Sequence, residues 1–286
     1  YMLVFILNAG SSSLKYQLMN PLTKEVFAVG LCERIGIDGV LKHEFNENKI
    51  TLNVAMPTHK EAIELVLRTL TSGEGKVIDS VDDIDAIGHR AVHGGEEFAS
   101  SVMVTDKVIN KMKELIPLAP LHNPANIMGM EICAELMPGK PNVAVFDTAF
   151  HQTMPDYAYM YALPYEMYTK HGIRKYGFHG TSHYYVSNEA INLLNKPETK
   201  VIVCHLGNGG SVSAVLNGKS IDTSMGLTPV QGLMMGTRAG DVGAGAISYM
   251  MTKENLTIDQ ALDVMNKKSG ILGISGKSSD LREVLQ

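Results

Sequence analysis

Leu3-Val4-Phe5-Ile6-Leu7-Asn8-Ala9-Gly10-Ser11-Ser12-Ser13-Leu14-Lys15-Tyr16-Gln17-Leu18 holds an apolar run, a turn of small residues, and a stretch that alternates apolar with polar. Alternation with period two is the mark of a half-buried strand. The segment therefore reads as strand, phosphate-sized turn, strand. The pattern returns where Val201-Ile202-Val203-Cys204 leads into His205-Leu206-Gly207-Asn208-Gly209-Gly210-Ser211 and then into the alternating Val212-Ser213-Ala214-Val215-Leu216. Two such hairpins far apart in one chain predict a duplicated architecture, one copy per domain.

Helical periodicity fills the space around them. Thr58 to Leu70, Thr105 to Ile116, Asn123 to Met137, Thr181 to Leu194 and Thr257 to Lys268 each pair a capping residue with 3.6-residue spacing, and Pro124 stands at a first helical position. Apolar strands at Ile84 to Ile87 and Val143 to Phe146 complete an α/β alternation. The domain boundary is placed near residue 150, giving 1–150 and 151–286. Ser279-Asp280-Leu281-Arg282-Glu283 reads as a helix start with a capping box between Asp280 and Glu283. The sequence stops at Gln286 before that helix completes two turns, so the native protein is expected to continue.

The 286 residues include 45% apolar and 19% charged side chains, the composition of a globular protein, and the formal charge is -5. That charge disfavours nucleic acid or an acidic membrane surface as partner, because both reward a broad basic face. Cys32, Cys133 and Cys204 are odd in number and set among apolar neighbours, which predicts buried thiols in a reducing compartment. The apolar opening Met2 to Leu7 is too short for a membrane or signal segment, so a cytoplasmic protein is expected.

Four further stretches hold chemistry-bearing residues. Gly/Ser turns after buried strands can aim backbone amides and hydroxyls at phosphate oxygens, and two of them suit a nucleoside triphosphate in a cleft between domains. A lone turn of this kind is as a rule only a hairpin, and neither turn carries the Lys-Ser/Thr ending of a P-loop. Gly88-His89-Arg90-Ala91-Val92-His93-Gly94-Gly95 puts Arg90 near the carboxyl end of a strand, where ligands of α/β sheets gather. Gly236-Thr237-Arg238-Ala239-Gly240-Asp241 presents a second arginine among glycines, and a guanidinium binds carboxylate or phosphate with two parallel hydrogen bonds. Phe146-Asp147-Thr148-Ala149-Phe150-His151 sets an acid directly after an apolar strand, suited equally to capping a turn or to orienting groups at a site. Tyr176-Gly177-Phe178-His179-Gly180-Thr181-Ser182-His183 enters a helix N-terminus, which favours anions. The pairs His179/His183 and His89/His93 have the i, i+4 spacing of a metal site, but no HExxH motif accompanies them and intervening glycines argue against continuous helix.

Taken in order, Asn-Ala-Gly-Ser-Ser-Ser, Gly-His-Arg-Ala-Val-His-Gly-Gly, Phe-Asp-Thr-Ala-Phe-His, Tyr-Gly-Phe-His-Gly-Thr-Ser-His, His-Leu-Gly-Asn-Gly and Gly-Thr-Arg-Ala-Gly-Asp resemble the motifs of the acetate kinase family, and the likeness continues to Asp280-Leu281-Arg282. The resemblance implies an α/β fold of two related actin-like (ribonuclease H-like) domains around an ATP cleft, the second domain incomplete, in a homodimer. It implies reversible transfer of phosphate from ATP to acetate, giving acetyl phosphate and ADP, with Mg2+ or Mn2+. It places Asn8 at the metal, and Ser11, Ser13, Lys15, His205, Leu206, Gly207, Asn208, Gly209, Asp280, Leu281 and Arg282 at the nucleotide. Arg90 and Arg238 would hold the acetate carboxylate and the phosphoryl group. His179 and Arg238 would stabilise the transition state, with Asp147 as the catalytic acid residue. Val92, Leu121, Phe178 and Pro229 would form the methyl pocket, with His122 in a secondary role. Ala239 departs from the small polar residue common in the family. Propionate or butyrate kinase remains a reading of the same class, and a nucleotide-binding fragment without catalysis is a reading from another.

Overall fold

The computed structural model describes residues 2–196 and 198–286. The chain divides into two compact units, Tyr1–Gly94 with Ser100–Phe146, and Gly95–Ala99 with Asp147–Gln286.

The first unit is built on one mixed sheet. β1 (Val4–Ala9) buries Phe5, Leu7 and Ala9, and β2 (Leu14–Asn20) answers with Leu14, Tyr16 and Leu18. They pair antiparallel with Asn8 opposite Lys15, so the predicted hairpin is present. β3 (Glu25–Glu33), β4 (Val40–Phe45) and β5 (Asn48–Asn53) extend it as an antiparallel meander that the motif reading had not assigned. On its other side β1 pairs in parallel with β6 (Ala86–Ala91), β6 pairs in parallel with β8 (Asn142–Phe146), and β7 (Val102–Met103) closes the edge. The order is β5-β4-β3-β2-β1-β6-β8-β7.

Helix α1 (His59–Thr71) starts at a full Thr58/Glu61 capping box and buries Ala62, Ile63, Val66 and Leu70 completely. Each large side chain so buried stabilises the unit by about 2 kcal/mol. α2 (Asp106–Glu114) is capped by Thr105, and α3 (Asn123–Leu136) packs on β1, β6 and α1.

In the second unit, α4 (Asp156–Tyr159), α5 (Tyr165–His171) and α6 (Gly180–Leu194) precede a second sheet of β9 (Lys200–Leu206), β10 (Gly210–Leu216) and β11 (Lys219–Thr223), ordered β11-β10-β9. A long loop leads to α7 (Ala244–Glu254), α8 (Ile258–Lys267), α9 (Gly270–Ser275) and α10 (Leu281–Val284), and Thr257 with Gln260 forms the capping box of α8.

Several expectations need adjusting. The strand expected at Ile84 to Ile87 starts at Ala86 and carries Arg90 inside it, because Val81–Asp83 forms a short 3-10 turn with Ile84 as its cap. Asn123 is not the cap of α3 but its first residue, and its side chain is occupied elsewhere. Cys204 is exposed rather than buried. It lies on edge strand β9, where α6 covers the face of Val203 while Ile202, Cys204 and Leu206 remain on the open face. Cys32 and Cys133 are buried as expected, and burial pushes both thiols up to about 12. At the chain end Asp280 caps the Arg282 amide at 2.8 Å, but its carboxylate is also gripped by the Arg282 guanidinium, which holds it down at about 2.

Candidate active site

In the first unit the site residues gather where the parallel strands β1 and β6 end. Gly10 N donates to Ser13 O at 2.8 Å and closes the turn, leaving Asn8 and Ser13 half-buried and Ser11 and Lys15 exposed. Two side chains hold this turn from behind. His59 Nε2 donates to Gly10 O at 2.6 Å, and Asn126 Nδ2 donates to Ala9 O at 2.9 Å.

Asn126 also accepts from Val92 N at 3.0 Å. One turn earlier on α3, Asn123 accepts from His93 N at 3.2 Å and donates to His93 O at 3.1 Å. Both carboxamides are buried, so each hydrogen bond satisfies backbone that would otherwise be desolvated without a partner. The start of α3 thus ties the turn after β1 to the segment that follows Arg90. Arg90 is half-buried, Val92 is buried, His122 is the cap of α3, and Leu121 beside it is 68% exposed. His89 is occupied structurally, since its Nε2 donates to Asn142 Oδ1 at 2.7 Å on the neighbouring strand. With His89 on a strand and His93 beyond its end, that pair lacks the helical geometry its spacing suggested.

In the second unit, Asp147 is 2% exposed and directly follows β8. Its carbonyl accepts from Gly180 N at 2.9 Å, and a β-carbon on Gly180 would stand 2.2 Å from that oxygen. Only glycine lets α6 begin there. His179, the residue before, is the helix cap in the left-handed conformation at φ 57°, a strained state for a side chain of its size. Its Nδ1 shares a 2.8 Å hydrogen bond with Ser211 Oγ, and His183 Nε2 meets the same hydroxyl at 2.7 Å. His205 stacks on His179 with ring centroids 4.0 Å apart, and its Nδ1 shares a 2.8 Å hydrogen bond with Ser182 Oγ.

Phe178 is buried, and its carbonyl accepts from His151 Nε2 at 2.9 Å, which leaves His151 Nδ1 to accept from Ser220 Oγ at 2.8 Å. Desolvation pushes His151 down to about 4 against the pull of that carbonyl. Desolvation, reinforced by the neighbouring histidines, pushes His183 down to about 3. Both rings are neutral at pH 7.

Arg238 reaches this group from the loop after β11. A β-carbon built on Gly209 would lie 3.3 Å from Arg238 Nη1 and 3.6 Å from both Cε1 and Nε2 of His179, so the guanidinium and that edge of the imidazole both lie close beside Gly209. Gly207 N donates to Gly209 O at 3.1 Å, and Gly236 N donates to Asn208 O at 3.0 Å, which fastens the 207–209 turn to the Arg238 loop. Pro229 lies on the same loop and its carbonyl accepts weakly from Arg238 Nη1 at 3.4 Å. Asp280 caps the short α10, whose first residues Leu281 and Arg282 are exposed.

Residues 3–286 match the Acetokinase family. The chain belongs to that family. Among acetokinase relatives, the acetate kinase of Fusobacterium nucleatum is 60% identical over 99% of this chain and 72% of its own length. The solved acetate kinase of Porphyromonas gingivalis superposes with a TM-score of 0.95 at 50% identity, covering 99% of this chain and 72% of that one. A propionate kinase from Francisella tularensis superposes with a TM-score of 0.94 at 45% identity, covering 100% and 73%. The actin-like α/β fold implied by the motifs is the fold of these kinases.

The acetokinase motifs single out the expected site residues, but not the residues that hold them in place. Asn123, Asn126, His183 and Ser211 all make buried hydrogen bonds to site segments, and of these only His183 stood out, through its spacing from His179. A signal was present for the two asparagines as well: Asn123 and Asn126 are polar residues three apart in the apolar first half of α3, hence on one face.

Proposed function

We propose that this protein transfers the γ-phosphoryl group of ATP to acetate, giving acetyl phosphate and ADP, and catalyses the reverse reaction. The observation that carries the reading is the convergence of Arg238 Nη1 and His179 Nε2 on the space beside Gly209. The acceptor carboxylate is ionised at neutral pH and needs no general base. The barrier is the approach of one anion to another, which calls for positive charge, hydrogen-bond donors and positioning.

In this reading Arg90 and Arg238 bind the acetate carboxylate and the phosphoryl group, and His179 donates to the phosphoryl oxygens as charge shifts in transfer. Val92, Leu121, Phe178 and Pro229 take the acetate methyl, and His122 has a supporting role. Ser11, Ser13, Lys15, the segment His205 to Gly209, and Asp280 to Arg282 take the nucleotide. Asp147 orients groups at the reacting centre rather than abstracting a proton.

Mg2+ prefers oxygen ligands and is bound in ATP enzymes mostly through phosphates and water, with one or two protein donors. The Asn8 carboxamide at the end of β1 fits that donor chemistry. The ion would neutralise phosphate charge; the protein side chains orient what it neutralises.

The reading includes a homodimer in the cytoplasm. The free thiols support a reducing compartment, and no helix among the described residues is long and apolar enough to cross a membrane. Propionate kinase is the second reading, favoured by the likeness to the Francisella enzyme. One methylene in an apolar pocket is worth only about 1 to 3 kcal/mol. Trapping acyl phosphates as hydroxamates with acetate, propionate and butyrate in parallel tests the choice. The highest kcat/KM is expected with acetate, and a clear preference for propionate would overturn it.

A further inference from the structure

We propose that Ser211 and His183 are positioning residues that fix the tautomer of His179, holding its ring hydrogen on Nε2, the nitrogen on the side of Gly209 and Arg238. The inference rests on the catalytic role given to His179 above.

The argument is a count of hydrogens. Ser211 Oγ lies 2.8 Å from His179 Nδ1 and 2.7 Å from His183 Nε2, and among the described residues it makes no other hydrogen bond. A hydroxyl has one hydrogen and two lone pairs, so it donates to one ring and accepts from the other. If His183 Nε2–H donates to Oγ, the hydroxyl donates to His179 Nδ1, and His179 carries its hydrogen on Nε2. In the opposite sense, His179 Nδ1–H donates to Oγ, the hydroxyl donates to His183 Nε2, and His179 presents a bare Nε2. If both rings donated, the hydroxyl hydrogen would be buried without an acceptor, since Ser211 is fully buried.

Two observations choose the first arrangement. His183 is fully buried, and its Nδ1 has no hydrogen-bond partner. In the first arrangement that atom is a bare lone pair; in the second it is an orphaned N–H, the rarer situation in protein interiors. The first arrangement also puts both histidines in the Nε2–H form, the tautomer an imidazole side chain prefers in water, whereas the second puts both in the disfavoured form.

The direction of this chain matters for the chemistry. Phosphoryl oxygens accept hydrogen bonds and do not donate them. With Nε2–H, His179 offers a donor next to the Arg238 guanidinium; with a bare Nε2 it would oppose the phosphoryl group lone pair to lone pair. The left-handed backbone of His179 already aims the ring, and Ser211 with His183 sets which of its nitrogens carries hydrogen.

The test uses the protein labelled with 15N in its histidine rings and long-range 1H–15N spectra at pH 7.5, with His179→Gln and His183→Gln assigning the two rings. Both are expected as Nε2–H tautomers. A Nδ1–H form at His179 in the wild-type protein would overturn the proposal. Ser211→Ala is expected to lower kcat for acetyl phosphate formation about tenfold, the usual range for losing an orienting partner, while KM for acetate moves less than about twofold. Ser211→Thr, which keeps the hydroxyl, is expected to restore both the spectrum and kcat. Unchanged kcat and unchanged His179 signals in Ser211→Ala would also overturn it. A wild-type Nε2–H signal combined with full kcat in His179→Ala would support the tautomer assignment and overturn instead the catalytic reading of His179.

Discussion

Gly180 donates its amide to the carbonyl of Asp147 at 2.9 Å, and no side chain fits between the two, because a β-carbon there would stand 2.2 Å from the same oxygen. The contact fixes the start of α6, and so His179, against the backbone of the buried acid. Gly180→Ala must push these backbones apart. It is expected to destabilise the protein by about 1 to 3 kcal/mol and to lower kcat beyond what the loss of folded protein explains. Thermal unfolding together with initial rates on the folded fraction checks this. Asp147→Asn keeps the backbone contact and removes only the charge, so it should retain the wild-type Tm while losing turnover or altering the Mg2+ dependence.

Gly209 makes a different prediction. An added methyl would sit 3.3 Å from Arg238 Nη1, a tight contact with the end of a long side chain that can shift, and 3.6 Å from Cε1 and Nε2 of His179, an ordinary one. Gly209→Ala should therefore fold with a near-normal Tm, yet crowd the space beside Arg238 and His179. A fall in kcat/KM with little change in denaturation midpoint is expected, and equal losses of stability and activity would contradict the assignment.

Asn126 joins Ala9 O and Val92 N through one carboxamide. Asn126→Ala leaves a buried carbonyl and a buried amide without partners, at about 1 to 3 kcal/mol each. Urea unfolding should show a loss of that order. Asn126→Asp keeps the acceptor for Val92 but turns a carboxylate oxygen toward Ala9 O, so it should be no better than alanine. A milder effect for aspartate would mean that the Ala9 bond contributes little.

Acid should destabilise the second unit before its carboxylates protonate. His151 is held down at about 4 and His183 at about 3, in both cases mainly by desolvation. In the unfolded chain both bind protons near the usual value of about 6.5. Below that pH the unfolded state takes up protons that the folded state refuses, so stability is complete above about pH 6.5 and is lost as pH falls toward the two folded values. Two such groups give a limiting slope of about 2.7 kcal/mol per pH unit. Urea midpoints measured between pH 7.5 and 5 should fall accordingly, and a flat profile over that range would show that the rings are accessible to protons in the folded protein.

The hairpins, three of the helix caps and the α/β alternation were readable because they depend on local periodicity and on residues a few positions apart, whereas Asn123 and Thr181 lie inside helices capped by His122 and His179. Thr58, Thr105 and Thr257 cap where their sequence context says they should. Order within the sheet was not readable in that way. The meander from Glu25 to Asn53 pairs strands whose register depends on neighbours brought together only by folding, and β1 meets β6 nearly 80 residues later. The same division holds at the site. Arg90, Asp147, His179 and Arg238 have side chains whose chemistry points to a role, whereas Ser211 and His183, though they end motif segments, acquire theirs only when the fold brings them together beside the ring of His179. Cys204 failed for a related reason: an apolar strand sequence does not reveal which of its faces will be covered.

The most direct test of the function follows 31P resonances when the protein is mixed with ATP, Mg2+ and acetate. The account predicts growth of the acetyl phosphate signal in step with ADP, loss of that signal when Mg2+ is chelated, and a reduction of at least about a hundredfold in rate for Arg238→Ala, as expected when a donor to developing charge is removed. ATP that binds but remains intact, or is hydrolysed to inorganic phosphate with no acetyl phosphate formed, would contradict it and favour a nucleotide-binding module without transfer.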